Sequence, residues 1–177
     1  MLRLLITARQ PRSGTFLRRG HEVSRLEAFS DAVFGFIVTL LVISLDVPSS
    51  FNDLMDRMSG VVSFAICFAL LIHFWVKHSN FFRRFGLHDT TTILLNATLL
   101  FVLLLYVYPL KYLLSMLSVM LFNLGPASMH AATRAITSDE VRSLFAVYGA
   151  GFLAVHLLFA AMYGHAFRQR DTLHLTF

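Results

Sequence analysis

The stretch "RLEAFSDAVFGFIVTLLVISLD", residues 25–46, gathers Arg25, Glu27 and Asp31 in its first two turns and sets a lone Thr39 among apolar neighbours. Advancing about 100° per residue puts Phe29, Ala32, Phe36, Thr39 and Ile43 within roughly 40° of Arg25, on one side of a helix. Glu27 and Asp31 fall on the other side. The helix therefore has two unlike faces, one apolar and interrupted by a hydroxyl, the other acidic at its start. An ionised carboxylate in a membrane-entering helix is costly and turns toward protein or water rather than lipid. Asp31 thus calls for a partner. "FWVKH", residues 74–78, offers the indole N–H of Trp75 and, three residues on along the same face, His78. Arg25 of a second copy is a further candidate, and a place among the headgroups would also satisfy the carboxylate.

The rest of the chain supplies the membrane. Of 177 residues, 56% are hydrophobic and 18 are phenylalanine, an excess too large to hide inside one soluble domain. Mean hydropathy is +0.67. Four apolar stretches stand out: residues 33–45, 61–76, 93–110 running on toward Leu124, and 144–163. Crossing a hydrocarbon core of about 30 Å takes about 20 helical residues, which each stretch reaches with its flanks. The expected fold is an all-α, polytopic transmembrane helical bundle of about four spans, occupying residues 23–170. Residues 1–22 read as a basic cytoplasmic arm, because the run "LLI" is much shorter than a signal-peptide core, and residues 171–177 read as a short tail. Cys67, the single cysteine, can form no intrachain disulfide.

Charge gives orientation. With the N-terminus inside, eleven basic residues, among them Lys77, Arg83, Arg84 and Arg168, fall on the cytoplasmic side, against four outside, Arg57, Lys111, Arg134 and Arg142. The formal charge of +5 then reflects topology and contact with anionic lipid headgroups, not nucleic-acid binding.

Helix starts are marked by Ser24 with Glu27, by Thr137 with Glu140, and by Asp89 or a following threonine. The second span is expected to begin near residues 52–57, after Pro48, and "KHSNFFRRFGLHD" reads as a short basic turn before the third. Pro109 either kinks a long third helix or ends it before an interfacial piece over residues 110–124. "ASMHAATRAITSDE" reads as an external loop. In the last span Ala146, Ala150 and Ala154, with Gly149 and Gly151 nearby, suggest a close-packing face.

"RLEAFSD" resembles the R-x-x-x-F-S-D signature that opens the first helix of the transmembrane protein 175 family of potassium channels. "FWVKHSNFF" is similar to that family's F-W-x-x-H element, and Asn96 with Pro109 to its third helix. The resemblance covers roughly residues 23–111 and is looser in the last span; single-repeat prokaryotic members usually carry six helices. It implies a plasma-membrane potassium channel, a homotetramer whose first helices surround the ion path, with Phe36, Thr39 and Ile43 facing the axis. Apolar rings there can close by dewetting, while threonine hydroxyls offer oxygen dipoles to a partly dehydrated cation. Arg25, Phe29, Ser30 and Asp31 would then tie helices near the cytoplasmic mouth together with Trp75 and His78. Asp46 could concentrate cations at the outer mouth. Family members commonly carry Leu or Ile where Phe36 stands, which puts four phenyl rings in the path. No cofactor is implied beyond potassium as permeant ion.

Other readings use the same residues differently. His73, His78, His156 and His165 lie in or beside spans, where paired histidines could ligate haem or pass protons, giving a haem-binding protein. A transporter would show broken helices or internal repeats, and the two halves show no convincing repeat. A bundle that packs without conducting is the plainest alternative. An enzyme finds no support: the "NAT" at Asn96 lies within a span, and no serine or cysteine has a base at a fixed helical offset, nor is there a metal-ligating set.

Overall fold

The computed structural model describes residues 23–43 and 48–169. The arm 1–22, Asp46, the tail 171–177 and the side chain of Ile43 lie outside that description. Among the described residues six helices follow one another: α1 (Arg25–Ile43), α2 (Phe51–Met58), α3 (Val61–Phe85), α4 (Thr90–Phe122), α5 (Ala127–Ala135) and α6 (Ser138–Arg168). Three of them, α3, α4 and α6, are long and apolar enough to cross a membrane. The 19 residues of α1 rise about 28 Å but carry three charges in the first two turns.

Two starts are capping boxes. The Ser24 hydroxyl accepts from the Glu27 N–H at 3.1 Å while the Glu27 carboxylate accepts from the Ser24 N–H at 2.9 Å. Thr137 and Glu140 repeat the device at α6. These satisfy amide groups that the first turn cannot bond internally.

Several expected boundaries move. The second span does not begin at residues 52–57: α2 is a separate short helix, capped by Ser50 on the Asp53 N–H, and it closes at Ser59 and Gly60 before α3 starts at Val61. The basic turn after the second span shrinks to residues 86–89. Phe81, Phe82 and Phe85 bury in the core and carry α3 on to Gly86, whose left-handed φ of 58° ends it. Pro109 neither ends nor separates anything, for α4 runs through it to Asn123, a left-handed C-cap. The Pro109 carbonyl accepts from the Tyr148 hydroxyl on α6, and Tyr106 returns a bond to the Tyr148 carbonyl at 3.1 Å. The expected external loop contains α5, alanine-rich and begun by Pro126, with its Ala127 N–H donated to Asp56 of α2 at 2.9 Å.

Helix α4 is the centre of the bundle, packing against α1, α3, α5 and α6. The face α6 turns to it is not the expected alanine row. Tyr148, Val155, Phe159, Met162 and Ala166 are buried, while Ala146 and Ala150 are exposed and Gly149 faces open space. Larger side chains fill that contact, and Gly151 makes the close approach, lying directly against the Tyr106 ring.

Candidate functional site

Helix α1 shows its two faces in three dimensions. Ser30, Phe34, Ile37 and Leu41 are buried against α3 and α4. The opposite stripe is open: Phe29 is 60% and Phe36 55% exposed, and Arg25, Ala32 and Thr39 are exposed with them. The Thr39 hydroxyl donates its proton to the Phe36 carbonyl at 2.7 Å, one turn back. Its oxygen lone pairs are left to face outward.

At the charged end of α1, the Trp75 indole N–H donates to the Asp31 carboxylate at 2.7 Å, joining α1 to α3. His78 does not share that task. It is buried, 2.6 Å from the Asn96 side-chain oxygen, and Asn96 in turn donates its amide to the Ser30 hydroxyl at 2.9 Å. Since the Ser30 proton goes to the Leu26 carbonyl at 2.8 Å, Ser30 can only accept from Asn96. That fixes the Asn96 amide, so its oxygen faces His78 and the His78 Nε2 carries the proton. One directed chain, His78 to Asn96 to Ser30 to Leu26, thus links α3, α4 and α1 at a depth where no buried side-chain polar atom among the described residues lacks a partner. Sequence reasoning reached Asn96 only through the family resemblance; an amide in an otherwise apolar span was the available signal. Arg25 and Phe29 are not drawn into these ties.

The other histidines are separately engaged. His156 bonds the Phe152 carbonyl of its own helix at 2.9 Å. His165 reaches Asp89 at 2.8 Å, across from α6 to the start of α4. His73 is exposed, its ring beside that of Phe74. Partial burial opposes ionisation of Asp89, but the Thr92 hydroxyl and the His165 ring outweigh it and hold the carboxyl below its ordinary value. On α2 the Arg57 side chain, followed by the Ser49 N–H, does the same for Asp53.

Long apolar helices gathered on a central span, with a polar tie between three of them and an open stripe on the first, define a polytopic α-helical membrane protein. Residues 25–106 match the family model described as endosomal/lysosomal potassium channel TMEM175. A protein named potassium channel from Marivirga tractuosa is 42% identical over 90% of this chain and 66% of its own length. A potassium channel from Chamaesiphon minutus is 27% identical over 82% of this chain and 66% of its own. The chain therefore spans just under two thirds of these curated relatives. Among solved structures, a variant of the potassium channel MtTMEM175 in complex with a nanobody–MBP fusion superposes with a TM-score of 0.83 at 41% identity, over 93% of this chain and 72% of that one. A lysosomal potassium-selective channel TMEM175 homolog from Chamaesiphon minutus gives 0.59 at 25% identity, over 85% of this chain and 74% of that one. The chain belongs to the TMEM175 family.

Proposed function

We propose that the chain conducts potassium across the cell membrane through a path lined by its first helix, in a homotetramer. The observation that carries this reading is the open stripe of α1, on which the exposed Phe36 and Thr39 follow one another while the reverse side is packed into the bundle. A helix so divided needs a second occupant for its open side. Symmetric copies of the same stripe around a closed axis provide one. Phe36, Thr39 and Ile43 then form successive rings. The phenyl ring narrows the path, and the Thr39 oxygens, their protons turned back onto the Phe36 carbonyl, present lone pairs to a cation that has shed part of its water. Shedding water is easier for potassium than for the more strongly hydrated sodium. Asp46 would draw cations to the outer mouth, and the ties of Asp31 to Trp75 and of Ser30 to Asn96 would hold each α1 at the cytoplasmic mouth. The basic side, with Lys77, Arg83, Arg84 and Arg168, faces the cytoplasm and its anionic lipids, with the N-terminus inside.

Reconstitution into potassium-loaded liposomes tests this. The parent should release potassium when a gradient is imposed, Thr39→Ala should discriminate less against sodium, and Phe36→Ala should pass more ions. No flux from any of the three would leave a bundle that does not conduct.

A further inference from the structure

The polar ties of α1 described so far all lie in its first two turns, yet Thr39 stands near its other end. There the last turn of α1 has no basic side chain of its own. One comes from α4: the Lys111 ammonium lies 3.4 Å from the carbonyl oxygen of Leu41, two residues beyond Thr39. The Leu41 side chain is buried, so this carbonyl sits against the bundle. Lys111 is itself half-buried. It lines a cavity of about 420 Å³ between α2, α3, α4 and α5, whose walls include Asp53, Arg57, Ser63 and Ser115. Its polar walls give an ammonium group polar neighbours that lipid does not offer. The wall behind it is fixed, because the Ser115 hydroxyl donates to Ser63 at 3.2 Å and joins α4 to α3. A cation against the carbonyl end of a helix is favoured by the aligned peptide dipoles, and at 3.4 Å this electrostatic attraction is the main part of the contact.

We propose that Lys111 is a positioning residue for ion discrimination: it anchors the outer end of α1 to α4 and so sets the radius at which Thr39 stands. This rests on the reading of α1 as the pore-lining helix. Chemistry at the ion is left to Thr39, and Lys111 acts through the α1 backbone. Anchored at Ser30 and Asp31 on one side and at Leu41 on the other, the helix holds Thr39 between two fixed points. Without the second anchor, the helix around Thr39 rests on the packing of Ile37 and Leu41.

The test uses the full chain in liposomes, as Lys111→Met, Lys111→Gln and Lys111→Arg. Two readouts are taken: hydrogen exchange along α1, and the ratio of potassium to sodium flux. Loss of the ammonium beside the Leu41 carbonyl should raise exchange over residues 38–43 about threefold in the two neutral variants. Exchange in α3 and in the first turns of α1 should stay as in the parent. The flux ratio should fall several-fold in both, and Lys111→Arg should restore ratio and protection. Should the Met variant fail to assemble, the Gln variant, which keeps a polar side chain but removes the charge, is read the same way. Unchanged exchange and unchanged ratio in a neutral variant overturn the proposal. So does an equal loss of both fluxes with exchange raised throughout the bundle, which is general unfolding. Raised exchange at residues 38–43 with no flux even from the parent keeps the anchor and removes the pore reading, so the two fail separately.

Discussion

Replacing Asn96 by alanine removes the middle of the chain that joins three helices. Two interhelix bonds vanish, to His78 at 2.6 Å and to Ser30 at 2.9 Å. Interhelix hydrogen bonds in membrane proteins average about 0.6 kcal/mol each, which gives about 1.2 kcal/mol for the pair. The Ser30 hydroxyl keeps its bond to Leu26, so its loss stops there. The His78 N–H keeps nothing; it is 1% exposed and left without an acceptor, which adds about 1–3 kcal/mol. Asn96→Ala should therefore cost about 2–4 kcal/mol. Titration of the detergent-solubilised protein with a denaturing detergent measures it, followed by the emission of Trp75, the single tryptophan, one helical turn from His78. Ser30→Ala removes two bonds, the one donated to the Leu26 carbonyl and the one accepted from Asn96, and leaves an Asn96 amide proton unpaired. The double variant should fall short of the sum of the two by about 0.5–1.5 kcal/mol, since the Ser30 to Asn96 bond is lost only once. A loss below about 0.5 kcal/mol for Asn96→Ala, with strict additivity, would refute the chain as a structural tie.

Other perturbations have equally definite outcomes. Gly151→Ala drives a methyl into the Tyr106 ring and should cost about 1–3 kcal/mol in the same titration. Gly149→Ala and Gly164→Ala meet open space and should be neutral or stabilising by up to about 1 kcal/mol. Asp31→Ala strips the indole of its acceptor, and the Trp75 emission maximum should shift while the far-ultraviolet helix signal stays. For Asp89 the folded carboxyl titrates below its ordinary value, so its contribution is complete above the ordinary carboxylate range and disappears as pH falls through the lower folded value. Asp89→Asn should flatten that acid limb of the stability profile, and by no more than about 1 kcal/mol because the group is partly open to solvent.

Much of this arrangement is legible from residue types. The capping boxes at Ser24 and Thr137 need only two side chains three residues apart, and both form. The two faces of α1 follow from periodicity alone, since a helical stripe needs no partner to define it. What could not be read depends on contacts between distant segments. Helix α5 has an alanine-rich sequence, but its start is secured by Asp56, some seventy residues earlier. Pro109 passes through a helix whose local sequence left two outcomes open, and its carbonyl is bonded by Tyr148 on α6. His78 shares a helix face with Trp75, yet the two go to different partners because Asn96 arrives from α4 at the depth of one of them. The small residues of α6 likewise suggested a packing row, and the helix instead turned its larger side chains inward.

The central claim, that α1 faces a shared ion path, is tested most directly by placing a thiol on its open stripe. Thr39→Cys serves in the native background because Cys67 is fully buried. A charged, water-borne methanethiosulfonate reagent should block potassium flux from liposomes holding Thr39→Cys and leave the parent untouched. Unaltered flux after treatment, with the introduced thiol modified only by a lipid-soluble maleimide, would put the stripe against acyl chains and contradict the claim.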